Sequence, residues 1–234
     1  MIIKNNTLND NYQRETLAFD VYGTLIDTNG VFIALEKLIN TQATLFMNTW
    51  RAKQLEYSFR RGLMQNYVDF GICTKQSLEY TCSYLNIDLS KEEKDKLMQE
   101  YDILPSFPDV KEGLNKLKES KCRMFAFSNG KAENVNKLLQ NAGLEHYFDG
   151  VVSVDDIKSY KPNPAVYAYF LRKTESIVSK SWLISSNPFD VIGAISNGMR
   201  SVWIKRTPNA IFDPWEIEPT AIAESIIDLY TILG

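Results

Sequence analysis

Apolar and polar positions along the chain follow two patterns. Short apolar runs that end at polar residues predict buried strands, and apolar residues three or four positions apart predict helices. Strands are predicted over residues 17–19, 123–127, 150–154, 182–184 and 201–205. Helices are predicted over residues 110–118, 135–140, 164–173, 188–197 and 219–233. This alternation predicts an α/β fold with a doubly wound, Rossmann-like parallel sheet.

Residues 31–107 show only the helical pattern. A capping box, Ser90-x-x-Glu93, predicts the start of one helix, and Thr74 or Ser77 is expected to begin another. Because this segment lies between the first strand and its crossover helix, we expect a helical cap domain inserted above the strand ends. The core domain is then predicted to comprise residues 16–30 and 108–234. The polar segment 1–15 is expected to be a disordered or weakly docked extension.

Composition narrows the class of protein. A chain of 234 residues with 44% hydrophobic residues can hold a large α/β domain with an inserted one. The net charge of −3 is mild, and no apolar run approaches the roughly 20 residues of a membrane span, so neither nucleic acid nor a membrane is an expected partner. Cys73, Cys82 and Cys122 form no C-x-x-C motif, which favours free thiols and a cytoplasmic protein. The only histidine, His146, is expected at the surface.

Polar residues follow the predicted strands where each strand ends. Asp20 follows the first strand, and Thr24, four residues later, is an expected hydrogen-bond donor to it. The later strands are followed by Ser128 and Asn129, by Lys161, and by Ser185, Asn187 and Asp190. The carboxyl ends of parallel strands meet at one edge of a sheet, where α/β proteins bind their ligands. The sequence therefore predicts one polar site built from four loops.

Each of these residues also has an ordinary structural explanation. Asp20 is compatible with a turn, and Lys161 with a solvated surface position. Ser185 and Asn187 are suited to cap the helix that begins at the following proline, and Asp190 is an acid in its first turn. The convergence of four loops favours a ligand site over the separate explanations.

Five motifs then carry a family resemblance. They are FDVYGTL with Asp20, WRAKQLEY with Arg51, FSNG with Ser128 and Asn129, YKPNPAVY with Lys161 and Tyr167, and SSNPFD with Ser185, Asn187 and Asp190. The chain resembles the haloacid dehalogenase superfamily and, within it, the L-2-haloacid dehalogenases. The first and third motifs also occur in phosphatase relatives, whereas the second and fifth point to dehalogenases.

The resemblance implies a reaction and a set of roles. It implies hydrolysis of small L-2-haloalkanoic acids to D-2-hydroxy acids by a homodimer that uses no metal or cofactor. Asp20 would be the nucleophile that forms an ester. The residues that would orient it, bind the substrate carboxylate or place the water are Thr24, Ser128, Lys161, Tyr167, Ser185, Asn187 and Asp190. Arg51, Asn129 and Phe189 would receive the halide, and Tyr22 and Leu55 would complete the substrate site.

Two positions depart from the pattern of well-known family members. Ala52 stands where those members have glutamine, and Phe189 stands where some have tryptophan. Both are expected to line the substrate pocket. The sequence therefore leaves open which carbon-chain lengths of substrate the enzyme accepts.

The implied chemistry agrees with the residue types. A carboxylate can displace a halide from carbon and form an ester that water later cleaves. Lys161 can neutralise the charge of a carboxylate substrate, and Arg51 on a cap helix can stabilise the departing halide. Judged from the residues alone, the favoured explanation of Arg51 is a surface charge on the cap that pairs with Glu56 or another acid.

Two rival functions stay open at this point. Magnesium-dependent phosphatases with this fold carry a second aspartate two residues after the nucleophile, where this chain has Tyr22. They also commonly carry Gly-Asp in place of Ser186-Asn187, because Mg²⁺ prefers carboxylate ligands. The other rival is a non-catalytic binding protein, which predicts that several of the polar loop residues would be missing. None of them is missing.

Overall fold

A computed structural model describes residues 14–233, and its centre is a six-stranded parallel sheet. The strands are β1 (Thr16–Phe19), β2 (Arg123–Ser128), β3 (Gly150–Ser153), β4 (Ser181–Ser185), β5 (Arg200–Ile204) and β6 (Ala221–Ala223). Their order is β3-β2-β1-β4-β5-β6, so β1 lies between β2 and β4. The central position of β1 explains why Leu17, Ala18 and Phe19 are all fully buried.

Helices cover both faces of the sheet, as a doubly wound fold requires. They are α5 (Val110–Glu119), α6 (Ala132–Asn141), α7 (Pro164–Lys173), α8 (Pro188–Ser196) and the short α9 (Leu229–Leu233). Leu17 and Phe19 face one core with Leu114 of α5, whereas Ala18 faces a second core with Phe170 of α7. Successive residues of β1 thus anchor helices on opposite faces, which confirms the predicted fold class.

The helix predicted over residues 219–233 is wrong in its first half. Residues Ala221–Ala223 form the sixth strand, which pairs with β5, and the helix is confined to Leu229–Leu233. The Asp228 carboxylate accepts hydrogen bonds from the backbone N–H groups of Glu224 and Ser225, which turns the chain between strand and helix. Apolar residues from a strand, a turn and a helix therefore have the same spacing as one face of a single helix.

Four helices occupy the segment between β1 and α5. They are α1 (Asn29–Ile39), α2 (Ala43–Leu63), α3 (Phe70–Leu85) and α4 (Lys91–Glu100). The capping box of Ser90 and Glu93 is confirmed at the start of α4. The start predicted for α3 is wrong, because Asp69 caps this helix, and Thr74 and Ser77 lie inside it.

Most of the predicted N-terminal extension lies outside the described residues. Of its last two residues, Glu15 is docked, because its carboxylate accepts hydrogen bonds from Trp182 Nε1 (2.8 Å) and Arg200 Nη2 (3.1 Å). Over residues 14–233, no helix combines the length and the hydropathy that a membrane span needs.

Candidate active site

Asp20 is the centre of the polar site. It follows β1 directly, and Gly23 turns the chain after it with a φ of +80°. The Asp20 carboxylate is buried and accepts four hydrogen bonds. Oδ2 accepts from Thr24 Oγ1 (2.8 Å), Asn187 Nδ2 (2.8 Å) and Ser185 Oγ (3.3 Å). Among residues 14–233, Oδ1 accepts from Lys161 Nζ alone (3.2 Å), so it is the less occupied oxygen.

Lys161 lies beneath Asp20 and is buried, with an exposed fraction of 2%. Its Nζ donates to Asp20 Oδ1 (3.2 Å), Asp190 Oδ2 (2.7 Å) and the carbonyl oxygen of Phe127 (2.8 Å). Burial disfavours the charged amine, but the carboxylates of Asp190 and Asp20 outweigh it and raise the pKa of Lys161. Lys161 is therefore an ammonium that joins two acids, and the surface-lysine alternative is wrong.

Asp190 and Tyr167 form a layer behind Lys161. Asp190 lies in the first turn of α8, as expected, but it is fully buried, and its Oδ1 accepts from Tyr167 Oη (2.8 Å). Burial raises the pKa of Asp190 to about 6, against the opposing charge of Lys161. Gly193 gives the Tyr167 hydroxyl room, because a Cβ at that position would lie 2.4 Å from it. Tyr167 thus supports Asp190 and has no described hydrogen bond to Asp20.

Ser128 and Asn129 end β2 beside Asp20. The Ser128 hydroxyl is buried and accepts a hydrogen bond from the backbone N–H of Gly130 (3.0 Å). The Asn129 side chain accepts from the backbone N–H of Lys161 (2.9 Å), which ties the loop after β3 to the loop after β2. Asn129 therefore helps to place the ammonium of Lys161.

A cavity of about 190 Å³ opens between the helices of the 31–107 segment and the strand ends. Its wall includes Tyr22 and Asn187 from the sheet side and Met47, Arg51 and Tyr101 from the helices. Tyr22 packs edge-on against Tyr101, with ring centroids 6.2 Å apart. Asn187 is shared by Asp20 and the cavity, so the carboxylate and the cavity belong to one site.

Arg51 reaches this cavity from α2. Its Nη1 donates to Gln54 Oε1 (2.6 Å), and its Nη2 lies 3.4 Å from Asn187 Oδ1. The predicted surface pair with Glu56 is wrong, because Glu56 pairs with Lys53 and Arg60 instead. Within residues 14–233 no carboxylate forms an ion pair with Arg51, and burial lowers its pKa against the opposing charges of Tyr101 and Asp20.

Comparison with known proteins agrees with this geometry. The family model described as haloacid dehalogenase-like hydrolase matches residues 17–204. The chain belongs to this family. It is 37% identical over 196 residues to haloacetate dehalogenase H-2 of Moraxella sp. (strain B), covering 82% of this chain and 86% of the relative. It is 31% identical over 218 residues to (S)-2-haloacid dehalogenase 2 of Pseudomonas sp. (strain CBS-3), covering 93% and 95%.

Solved structures support the same assignment. The L-2-haloacid dehalogenase from Xanthobacter autotrophicus, in a structure with chloropropionic acid covalently bound, superposes with a TM-score of 0.87. It is 28% identical and covers 94% of this chain, which covers 98% of it. The resemblance that the five motifs suggested is confirmed, and the chain is a hydrolase of the haloacid dehalogenase-like family.

Five residues expected at the pocket of this hydrolase are absent from the described cavity wall, namely Ser128, Asn129, Phe189, Leu55 and Ala52. Phe189 packs edge-on against Phe59, with centroids 5.2 Å apart, and lines a second, more apolar cavity of about 460 Å³. Leu55 is half-buried and is not part of either cavity wall. Ala52 is exposed and lines neither, so the expectation that it borders the pocket is not supported by its position. The halide role of Phe189 and the substrate role of Leu55 stay predictions.

Two contacts of the site were missed by the sequence reasoning. Gln54 is buried beside Arg51. Residues three apart on a helix are neighbours on its surface, so this spacing could have indicated the contact. Ser186 binds the loop after β1, since its backbone N–H donates to Thr24 Oγ1 (2.9 Å) and its hydroxyl to the Gly23 carbonyl (2.8 Å). This second contact joins residues 162 positions apart, which no local pattern indicates.

The two acids of the site, Asp20 and Asp190, flank the ammonium of Lys161. Nowhere in residues 14–233 do three or more His, Cys, Asp or Glu side chains form a group that could hold a metal ion. The Lys161 ammonium bridges the carboxylates of Asp20 and Asp190 at 3.2 and 2.7 Å. The donor set is thus suited to an internal cation, whereas a hard Mg²⁺ site prefers several oxygen ligands.

Proposed function

We propose that this protein hydrolyses the carbon–halogen bond of small L-2-haloalkanoic acids and releases D-2-hydroxy acids. Its relatives are named as haloacid and haloacetate dehalogenases, which supports this substrate class. One observation carries the proposal. A buried carboxylate, Asp20, and a half-buried guanidinium, Arg51, are joined through the same amide, Asn187, beside one cavity, and no carboxylate of residues 14–233 pairs with that guanidinium.

The first step is displacement of the halide. Asp20 Oδ1, the less occupied oxygen of the carboxylate, attacks C2 of the substrate from the side opposite the halogen. An ester bond forms between Oδ1 and C2, and the halide leaves with the electron pair of the C2–halogen bond. Arg51 stabilises the charge that develops on the halide. Attack from behind inverts C2 once.

The second step is hydrolysis of the ester. Water attacks the carboxyl carbon of Asp20, the bond from that carbon to Oδ1 breaks, and the hydroxy acid leaves with Oδ1. Negative charge develops on Oδ2, which already receives three hydrogen bonds from Thr24, Asn187 and Ser185. Donors in place before the reaction stabilise such an oxyanion without reorganisation. The step restores the Asp20 carboxylate and releases one proton.

The substrate carboxylate needs its own donors, because it would otherwise repel Asp20. The Ser128 hydroxyl oxygen accepts a hydrogen bond from Gly130. The hydroxyl proton can therefore be donated to the substrate carboxylate. The ammonium of Lys161 offsets part of the negative charge of the site. We propose that these two residues make a haloacid acceptable beside the nucleophile.

The organisation of the protein forms a second part of the proposal. Residues 31–107 act as a cap domain over a core of residues 16–30 and 108–234, and two copies associate in the cytoplasm. Exposed apolar side chains on α2, such as Leu45 and Leu63 with exposed fractions of 59% and 86%, supply surface for a partner. The free thiols of Cys73, Cys82 and Cys122 suit a reducing compartment.

Chelation should leave the activity unchanged. We expect full chloride release from L-2-chloropropionate in EDTA, because the Lys161 ammonium supplies the positive charge between the two acids. The parallel measurement is phosphate release from a phosphate ester in Mg²⁺, which tests the phosphatase alternative. Phosphate release without chloride release would overturn the proposed function, and chloride release that needs Mg²⁺ would contradict its metal-independent form.

Replacement of Arg51 by lysine should lower kcat for halide release by roughly 10²–10³-fold, the effect of losing a preorganised donor to developing charge. Lysine keeps the charge but loses the planar fork that holds Gln54 and Asn187 together. The matched control is Arg60→Lys on the same helix, where the arginine is exposed and pairs with Glu56. Normal turnover by Arg51→Lys would move the halide site elsewhere.

A further inference from the structure

Gln54 is a buried amide in the wall of the cavity, with an exposed fraction of 1%. Its Oε1 accepts a hydrogen bond from Arg51 Nη1 (2.6 Å), and its Nε2 donates to Thr74 Oγ1 (2.6 Å). The Thr74 hydroxyl donates in turn to the carbonyl oxygen of Phe70 (2.9 Å), at the start of α3. This chain of hydrogen bonds links the guanidinium on α2 to the backbone of the neighbouring helix.

The link holds Arg51 without neutralising it. Both described partners of its guanidinium, Gln54 and Asn187, are neutral amides. Glu56, one turn further along the helix, pairs with Lys53 at 2.7 Å and with Arg60. A half-buried cation held by neutral groups keeps its attraction for an anion, whereas a carboxylate partner would compete with that anion.

Glutamine is suited to this task in a way that glutamate is not. Both side chains have the same length and can accept from the guanidinium. Glutamate differs in two ways, because it carries a negative charge and has no N–H to donate to Thr74. A glutamate at this position would form a charge-assisted pair with Arg51 and consume the charge that faces the cavity. Anion binding by Arg51 therefore depends on whether residue 54 is charged, as well as on how its side chain packs.

We propose that Gln54 is a positioning residue that fixes the Arg51 guanidinium at the cavity and keeps its charge unpaired for the departing halide. The inference rests on the proposed function, because it assigns the anion as the halide of the haloacid. It adds a requirement that the function alone does not make, namely that residue 54 be a hydrogen-bond acceptor without charge.

The test is the substitution Gln54→Glu. We expect chloride release from L-2-chloropropionate to fall by about 10²-fold or more, as when a preorganised donor is lost to developing charge. Product inhibition by added chloride should weaken by at least about tenfold, since the guanidinium is occupied by the new carboxylate. The melting temperature should fall less than in a variant that loses both hydrogen bonds of Gln54, because the pair with Arg51 offsets the loss of the Nε2 hydrogen bond to Thr74.

The chain offers a matched control on the same two helices. Gln76 on α3 accepts a hydrogen bond from Arg61 Nη2 on α2 (2.9 Å), and this pair is exposed. Gln76→Glu makes the same chemical change outside the cavity. It is expected to leave chloride release and chloride inhibition unchanged.

A second variant separates charge from packing. Gln54→Met removes both hydrogen bonds and adds no charge, so it should lower chloride release less than Gln54→Glu and lower the melting temperature more. A purely structural glutamine predicts the reverse order, with the methionine variant worse in activity, and that order would overturn the inference. So would wild-type chloride inhibition in Gln54→Glu. Failure of the wild-type enzyme to release chloride would refute the proposed function instead.

Discussion

Replacement of Asp20 by asparagine is expected to lower halide release by about 10⁴-fold or more, the scale seen when a covalent nucleophile is removed from a hydrolase. An amide oxygen is too weak a nucleophile to displace a halide. The measurement is chloride release from L-2-chloropropionate over several hours at high enzyme concentration. Asp27→Asn is the matched control, since Asp27 accepts from the backbone N–H of Asn29 (2.9 Å) and an amide oxygen can do the same.

Isotope labelling tests what Asp20 does in the reaction. In a single turnover in ¹⁸O water with enzyme in excess, the ester mechanism places an unlabelled oxygen from Asp20 in D-lactate and ¹⁸O in the Asp20 carboxylate. Direct attack by water, with Asp20 as general base, would also invert C2, so stereochemistry cannot separate the two. Label in the first-turnover lactate, with none in the peptide that carries Asp20, would refute the ester mechanism.

Replacement of Lys161 by methionine is expected to remove activity and to destabilise the fold by about 3–5 kcal/mol, the cost of leaving buried charge without its partner. The loss leaves the carboxylates of Asp20 and Asp190 buried together, with no cation between them. Equilibrium denaturation by urea measures the free energy of unfolding, and chloride release measures the activity.

Two further variants test this explanation of Lys161. Lys158→Met removes an exposed lysine that pairs with Asp155 at 2.9 Å, and it should cost no more than about 1 kcal/mol. Adding Asp190→Asn to Lys161→Met removes one of the unpaired acids, so the double variant should recover about 1–3 kcal/mol relative to Lys161→Met alone. Wild-type stability in Lys161→Met would show that the buried acids do not depend on the ammonium.

The sequence determined the elements and the edge of the sheet where the site lies. Asp20 ends a run of three apolar residues, and β1 is found over Thr16–Phe19. Lys161 and Asp190 lie in segments that follow later strands. Parallel strands bring these segments to one edge of the sheet independently of the side chains in the segments. These inferences succeeded because they depend on local periodicity and on a topology with few alternatives.

The errors lie where local patterns are ambiguous. Ile222, Ile226 and Leu229 are spaced as on a helix, but Ile222 belongs to an edge strand and is 54% exposed, whereas Ile226 and Leu229 are buried. Thr74 is a good capping residue by type, but it lies inside α3, where its hydroxyl bonds the Phe70 carbonyl and the amide of Gln54. The type of residue does not determine which of these partners it binds. The packing of the neighbouring helix determines it.

What only the tertiary structure decided is which partner each polar side chain finds. Without the family resemblance, a surface pair with Glu56, five residues away, or with another acid was the favoured explanation of Arg51. The fold instead brings it to Asn187, 136 positions along the chain, and holds it half-buried beside Gln54. Lysine and arginine side chains are long and flexible, so their partners depend on which elements approach them. Spacing along the sequence predicts elements, but the partners of the charged side chains are set only when those elements pack together.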